Sequence, residues 1–313
     1  MARSARVYRF FGENLILLSL VAIVAFFGFA SERFFSVTTL STLLNQLPAL
    51  TVVAIGMTLV LISGAIDLSV GSVLALSAGV IGACVVLFGL PVPLAALAGI
   101  MTGALAGLAN GSLGAYLRLP IFIVTLGMLE VARGLAYLVT DSQTVYMGGQ
   151  IQGFALPIDG LGMSASFMTA LVLVIAFEFL LKSTVFGRQI VAVGSNESAA
   201  AVSGIDPRQV RCTVLVISGA LAGLGGLMSS SYLGSADPNA GVGLELSAIA
   251  AAVIGGTSLM GGRGSVMGAF VGVLIVSVLQ IGLAQIGITE PTKRVTTGAV
   301  IILAVILDRW RAT

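Results

Sequence analysis

Three ionisable side chains fall inside long apolar stretches of the sequence, namely Glu130, Arg133 and Glu178. A charge at the centre of a bilayer costs about 3 kcal/mol, so such residues tend to face a bundle interior or a solute pathway. Glu130 and Arg133 are three residues apart on one helix face, where they can pair with each other or line a polar pathway. Both interpretations are open. Glu178 lies near the end of its stretch and can simply reach the interface.

A fourth carboxylate, Asp67, stands between two apolar stretches in Gly64-Ala-Ile-Asp-Leu-Ser69. An Asp or Ser just before a helix can cap its free N–H groups. We favour capping of the next helix over contact with a solute, and we keep Asp67 as a candidate intramembrane polar residue.

Residues for covalent or metal chemistry are missing from the sequence. The chain has no histidine, two widely separated cysteines and no clustered set of acidic residues. The glycine-rich run from Gly256 to Arg263 lacks the Gly-Lys-Ser/Thr ending that places a lysine on phosphates. The sequence therefore predicts no catalytic residue, no metal site and no ATP bound by this chain.

A short polar segment with a basic edge, Gly187 to Ile205, interrupts the apolar sequence. Asn196 can cap a short helix beginning near Ser195 or Asn196, and the alanines at 199 to 201 favour helix. Such a segment is where a membrane protein meets a soluble partner.

The composition indicates the class of protein that carries these residues. Hydrophobic residues make up 58% of the 313-residue chain, only 9% are charged, and the mean hydropathy is +1.11. A soluble domain carries about 25% charged residues. The net charge of +2 gives no indication of nucleic acid binding. We therefore expect an all-α polytopic membrane protein without a soluble domain.

A helix needs about 20 apolar residues to cross the hydrocarbon, and the chain divides into ten stretches on that scale, some of them short. The eighth is too short to cross alone, so it extends to Leu244 and Glu245 or is partly re-entrant. The first is read as a retained helix and not as a cleaved signal peptide. The predicted spans are Leu15 to Ala30, Leu47 to Ser63, Gly71 to Phe88, Pro93 to Ala115, Phe122 to Thr140, Ala165 to Leu181, Cys212 to Leu233, Leu246 to Thr257, Ser265 to Ile286 and Val295 to Leu307.

The basic residues orient these spans, because Lys and Arg are retained on the cytoplasmic side. With both termini cytoplasmic, only Arg33, Lys293 and Arg294 among the loop cations face outside. The cytoplasmic cations are then Arg3, Arg6, Arg9, Arg118, Lys182, Arg188, Arg208, Arg211, Arg263, Arg309 and Arg311. We expect one transmembrane domain over 1–313, with cytoplasmic tails at 1–14 and 308–313 and a cytoplasmic loop at 183–211.

Glycines recur every fourth residue on one face of two spans, at 99, 103, 107 and 111 and at 264, 268 and 272. Small residues at this spacing let helix backbones approach closely. The pattern predicts tight helix packing at both faces and no catalytic role.

Several of these segments together resemble the permease subunits of ribose-type ATP-binding-cassette importers, from about Phe34 to Asp308. The segments that carry the resemblance are Gly56-Met-Thr, Gly64-Ala-Ile-Asp-Leu-Ser-Val-Gly-Ser72, Gly187-Arg, Ala192-Val-Gly-Ser-Asn196, Ser203-Gly-Ile205, Glu245-Leu-Ser-Ala-Ile-Ala-Ala and Ile254-Gly-Gly-Thr-Ser-Leu-Met-Gly-Gly-Arg-Gly264.

The resemblance implies a multi-pass protein of the bacterial inner membrane that carries a monosaccharide or similar small polar solute. Its implied partners are a cytoplasmic ATPase that holds ATP and Mg²⁺, a periplasmic or surface solute-binding protein, a second permease copy, identical or not, and membrane lipid. It also implies that the polar segment is the coupling loop that docks on the ATPase. The coupling residues are Gly187, Arg188, Ala192, Gly194, Asn196, Ala199, Ala200, Ser203, Gly204 and Ile205.

Two positions depart from the family pattern. The family commonly has Asp where Ser247 stands, and Asn-Asn or Asn-Gly where Gln280-Ile281 stands. Gln280 joins Glu130, Arg133 and Asp67 as a candidate pathway residue, and the identity of the sugar is open. Two alternatives are a branched-chain amino-acid or nucleoside permease of the same ATPase-driven kind, and an ion-coupled carrier, which would need an intramembrane carboxylate such as Glu130.

Overall fold

The computed structural model describes residues 2–158 and 162–312, and most of them are helical. The elements in chain order are α1 (Ala2–Ala30), α2 (Val37–Ile62), α3 (Val70–Val86), α4 (Val92–Gly111), a π turn (Ser112–Tyr116), α5 (Ile121–Val139), β1 (Val145–Tyr146), α6 (Gly149–Gln152), α7 (Ala165–Ser183), α8 (Val185–Ser195), α9 (Glu197–Val202), α10 (Pro207–Leu233), β2 (Ser235–Ala236), α11 (Leu244–Ile254), α12 (Val266–Gln285) and α13 (Glu290–Ala312).

Six helices of the described chain are long and apolar enough to cross a membrane: α2, α4 with its π turn, α5, α7, α10 and α12. Three shorter apolar helices are α3, α11 and the Ile16–Ala30 part of α1. Each of the ten predicted spans falls on a helix, and the all-α membrane class is confirmed. The number of crossings and the side of each terminus stay predictions.

Both predicted tails are continuous with a helix, since α1 begins at Ala2 and α13 continues to Ala312. The tail cations Arg3, Arg6, Arg9, Arg309 and Arg311 lie outside the residues whose side chains are described.

Helix α2 begins ten residues before the predicted span, at Val37 instead of Leu47. Ser36 caps this start, because its hydroxyl accepts a hydrogen bond from the Thr39 N–H at 3.2 Å. The added turns are rich in Thr, Asn and Gln. A search for apolar spans leaves these turns out because their side chains are polar. Polar side chains nevertheless suit the part of a helix that faces a cavity.

Helices α3 and α11 both begin inside the bundle. Helix α11 has 11 residues, which span about 16 Å at 1.5 Å per residue, against about 30 Å of hydrocarbon. It begins at Leu244, as expected for the short eighth span. A methyl group on Gly71, at the start of α3, would overlap the carbonyl oxygen of Gly241, just before α11. The start of α3 and the segment before α11 therefore pack against each other, and irregular backbone is tolerated where it packs against protein.

Helices α2 and α10 form the centre, and the predicted glycine face of α4 packs on α10. A methyl group on Gly103 would overlap the carbonyl oxygen of Gly219, and one on Gly219 would overlap that of Gly103. The opposite face of α4 exposes large apolar side chains, as a lipid-facing surface does: Leu94, Leu97, Met101, Leu105 and Leu108. In the second set, Gly268 and Gly272 pack α12 on the C-terminal end of α11 in the same way, whereas Gly264 precedes α12 and packs on the Ile62 side chain. Tight packing at both faces is confirmed.

On the side of the bundle where α5 ends and α10 ends, the two short strands form an antiparallel pair, with Val145 opposite Ala236 and Tyr146 opposite Ser235. The Met147 and Gly148 N–H groups also donate to the Gly234 carbonyl oxygen, each at 2.9 Å. These bonds fix the long loop after α5 to the loop that leads into α11.

Candidate pathway and coupling site

A cavity of about 860 Å³ opens between α2, α10, α11, α12 and α13. Its wall carries hydroxyl and amide side chains from several helices. They are Thr38, Thr39, Thr42, Asn45, Gln46, Ser229, Tyr232, Ser247, Ser277, Gln280, Gln285 and Thr297. The charged side chains of the wall, Glu290, Lys293 and Arg294, all come from the first turns of α13. The neutral polar side chains can exchange hydrogen bonds with a polar solute, and apolar side chains such as Leu50, Leu246 and Ile281 line the cavity between them.

The predicted pathway residue Gln280 lies in this wall, and so does Ser247. Residues of α2 that the sequence reasoning missed lie there as well, among them Thr42, Asn45 and Gln46. Their spacing is helical, with polar residues at 38, 42, 45 and 46. That periodicity could have identified the stripe, since residues three and four apart share one helix face.

Arg133 binds backbone and not Glu130. Its Nη1 donates hydrogen bonds to the carbonyl oxygens of Pro238 and Ala240, the latter at 2.9 Å. The nearby Tyr137 hydroxyl donates to Asn239 Oδ1 at 2.6 Å. Within the described chain Glu130 forms no ion pair with Arg133, so the pair that their spacing allowed does not form. The arginine instead holds the segment that leads into α11.

Neither Glu130, Arg133 nor Asp67 is part of the cavity wall. Glu130 is exposed on α5, and Asp67 is 1% exposed. A pathway role for these three stays a prediction.

Asp67 is the centre of a buried polar cluster. Its Oδ1 accepts hydrogen bonds from the N–H and the hydroxyl of Ser69, at 2.9 and 2.6 Å, and its Oδ2 accepts one from the Ser218 hydroxyl at 3.2 Å. Asn110 Nδ2 donates to Ser69 Oγ at 3.0 Å. The cluster joins the segment before α3 to α4 and α10.

The expected cap on α3 is not formed by Asp67. Ser69 holds the N-cap position in a helical conformation without a side-chain cap bond. The Asp67 carboxylate accepts a hydrogen bond from the N–H of Ser69, the residue before α3 begins, and so closes an Asx turn. Burial explains the choice, because a carboxylate that is 1% exposed needs several donors at once.

The predicted coupling loop consists mainly of two helices, α8 and α9. The short helix expected at Asn196 is confirmed as α9, since Asn196 Oδ1 accepts from the Ala199 N–H at 2.9 Å. The residues before it, expected as loop, form α8. Thr184 caps α8 by accepting from the Gly187 N–H at 3.1 Å, and Ile190 and Val193 bury one face.

The predicted coupling residues divide by exposure. Gly187 and Ala200 are buried, and Ala192, Gly194 and Ile205 are half-buried. The exposed ones are Arg188, Asn196, Ala199, Ser203 and Gly204. The sequence reasoning missed Val202, whose side chain on α9 is 91% exposed. An apolar side chain beside small polar ones forms a surface that a protein partner can cover.

The inner face of α8 is anchored on the C-terminal end of α2. Gly194 packs against the Ile62 carbonyl group, and the Gly262 N–H donates to the same carbonyl oxygen at 2.8 Å. Arg211 donates to the Ser63 carbonyl oxygen at 3.3 Å and pairs with Glu197 of α9 at 2.8 Å. The glycine-rich run from Gly256 to Arg263 thus packs against α2 and α8.

Glu178 caps the N-terminus of α12. Its Oε2 accepts from the N–H groups of Val266 and Met267, at 2.7 and 3.1 Å, while Oε1 pairs with Lys182 at 2.5 Å. The positive end of the helix dipole also stabilises a negatively charged carboxylate at this position. Glu178 therefore joins α7 to α12 and does more than reach the interface.

Comparison with known proteins places the chain in a family. The profile of the family described as "branched-chain amino acid transport system / permease component" matches residues 39–305. The ribose import permease of Haemophilus influenzae is 36% identical over 98% of this chain and 96% of its own length. The ribose import permease of Bacillus subtilis is 38% identical over 94% and 92%. The fructose import permease of Rhizobium meliloti is 32% identical over 94% and 84%.

No solved structure matches the chain. The family profile covers most of the sequence, the relatives align over nearly its whole length, and the described helices fit a multi-pass membrane protein. The resemblance found in the sequence is therefore confirmed. The chain belongs to the family of binding-protein-dependent transport permeases described as branched-chain amino acid transport system / permease components.

Proposed function

We propose that the chain is the membrane-spanning permease subunit of an ATP-driven importer for a monosaccharide. The observation that carries the proposal is the cavity wall of hydroxyl and amide side chains, in a chain similar over nearly its whole length to ribose and fructose permeases. A sugar offers only hydroxyl and ring oxygens, which neutral donors and acceptors satisfy without the cost of desolvating a charge.

The same helix connects the cavity to the polar segment. The N-terminal half of α2 lines the cavity, and its C-terminal end holds Gly194 of α8 and the Gly262 N–H. A displacement of α8 and α9 by an ATPase would therefore move α2 and the cavity wall together. This connection through one helix, which has Pro48 in its interior, supports a coupling role for residues 183–211, with Val202 and Ala199 in the contact surface.

The remaining parts of the assembly follow from this role. The chain forms one domain of ten spans with cytoplasmic termini, and two permease copies, identical or not, enclose the pathway in the inner membrane among its lipids. A solute-binding protein delivers the sugar from outside. ATP and Mg²⁺ are held by the separate ATPase, and this chain holds no cofactor.

Uptake by proteoliposomes that contain the permease, its ATPase and its binding protein tests the function. We expect ATP-dependent uptake of labelled ribose or fructose that persists when an uncoupler collapses the proton gradient. Uptake of leucine and not of sugars would instead support the amino-acid alternative, and uptake that needs the gradient but no ATP would support an ion-coupled carrier.

The variant Gln280→Leu tests the cavity wall in the same assay. Loss of one hydrogen bond to the solute costs about 1 kcal/mol, or about a fivefold drop in uptake. ATPase assembly should be unchanged. Gln143→Leu, on an exposed turn outside the cavity, is the matched control. Equal uptake by the two variants would remove Gln280 from the pathway.

A further inference from the structure

A second cavity, of about 680 Å³, lies beside the coupling helices and apart from the proposed pathway. Three segments enclose it: residues 64–66 before α3, residues 114–122 between α4 and α5, and the α9–α10 junction. Three arginines line it, Arg118, Arg208 and Arg211, against the single acidic residue Glu197. The wall thus carries two more positive than negative charges.

The positive charge of this wall is only partly neutralised. Arg211 pairs with Glu197 at 2.8 Å. Within the part of the chain that the structure describes, the side chains of Arg118 and Arg208 form no hydrogen bond and no ion pair. Both residues are exposed, so two guanidinium groups remain available to an anion at one cavity.

The backbone at Arg118 is unusual as well. Arg118 has φ +57°, a left-handed conformation that costs a residue with a side chain about 1–2 kcal/mol. It directly follows the π turn and Leu117. The resulting bend places Arg118 in the same wall as Arg208, although 90 residues separate them in sequence.

Apolar side chains adjoin the arginines. Leu117, Leu119 and Phe122 are 64%, 46% and 50% exposed, and the last two line the cavity. A site that combines cations with exposed apolar side chains matches an amphipathic ligand. Basic pockets between membrane helices on the cytoplasmic side bind anionic lipid headgroups in this manner.

We propose that Arg118 and Arg208 bind the phosphate of an anionic phospholipid from the cytoplasmic leaflet, with its acyl chains along Leu119 and Phe122, while Arg211 stays paired with Glu197 in the same wall. The planar guanidinium forks suit phosphate oxygens. The assignment to the cytoplasmic leaflet rests on the proposed orientation. The bound lipid would tie the α4–α5 link to the start of α10, next to the coupling helices.

The test measures lipid binding to the purified full chain. The protein in nanodiscs of phosphatidylcholine, with and without phosphatidylglycerol, is analysed by native mass spectrometry and by thermal unfolding. We expect phosphatidylglycerol to be retained and to raise the unfolding temperature. The double variant Arg118→Gln/Arg208→Gln should lose at least about tenfold in affinity, because charge-assisted hydrogen bonds are lost.

Arg263→Gln is the matched control, since Arg263 is an exposed cation predicted on the same side but absent from the cavity wall. If the double variant fails to give a monodisperse protein, the single variant Arg208→Gln replaces it. Equal lipid affinity in wild type and variant would overturn the proposal. Stabilisation by inorganic phosphate equal to that by the lipid would also overturn it. So would a double variant that no longer binds the ATPase in lipid-free amphipol but binds phosphatidylglycerol as the wild type does. None of these readouts depends on which solute is carried.

Discussion

Replacement of Gly194 by alanine tests the connection between the coupling helices and the bundle. An added methyl group would overlap the Ile62 carbonyl oxygen and lie 2.7 Å from the Gly262 nitrogen and 2.8 Å from the Ile62 carbonyl carbon. All of these are backbone atoms, which cannot rotate away as a side chain can. Helix α8 would have to move off the end of α2 or the Gly262–Ile62 hydrogen bond would break.

The size of the effect follows from opposing contributions. Alanine is better than glycine inside a helix by about 1 kcal/mol. Against this, overpacking costs about 1–3 kcal/mol, and a buried backbone hydrogen bond left unmade costs about 1–3 kcal/mol. We expect a net loss of about 1–5 kcal/mol in α8 docking, or about a 5- to 4,000-fold shift toward the undocked state.

The assay compares Gly194→Ala with Gly127→Ala in proteoliposomes. Gly127 lies in a helix with nothing within 4 Å of an added methyl group, so its variant should behave like wild type. Gly194→Ala should keep the ATPase bound while uptake falls, because α9 and its exposed Val202 are not altered directly. Wild-type uptake by Gly194→Ala, with normal hydrogen exchange in α8, would refute the proposed connection.

Two further predictions concern the bundle itself. Gly103→Leu should prevent α4 from packing on α10, because even a methyl group would overlap the Gly219 carbonyl oxygen. The unfolding temperature in detergent should fall sharply for this variant and should not fall for the control Gly127→Leu. Equal unfolding temperatures for the two variants would contradict the packing. Arg133→Gln should cost about 2–4 kcal/mol, since two hydrogen bonds from a charged donor to backbone are lost. Hydrogen exchange should then rise in residues 237–241 and not in β1, and unchanged exchange there would show that Arg133 does not hold the segment.

Composition and residue spacing determined the class of the protein and much of its local structure. The apolar stretches located all ten of the predicted spans on helices, because burial in lipid requires a side-chain property that the sequence displays directly. The glycines on one face of α4 predicted close packing, because the absence of a side chain at this spacing is also visible in the sequence. Asn196 identified α9, since capping is a local interaction between neighbours in sequence.

The structure decided which distant groups meet. Arg133 donates to carbonyl groups more than 100 residues away and does not pair with Glu130 in its own helix. The Asp67 carboxylate accepts a hydrogen bond from Ser218 on α10. The short α11 could be anticipated from its length, but its start against Gly71 could not. These pairings depend on how helices pack, and a periodic sequence pattern specifies a face without specifying its partner.

The candidate site shows the same division. The sequence located the coupling segment and one cavity residue, Gln280, but only the tertiary structure joined the two through α2. The polar first turns of α2 did not look like part of a span because apolarity was the criterion. Local chemistry can be read along the chain, whereas a cavity exists only where several helices leave space between them.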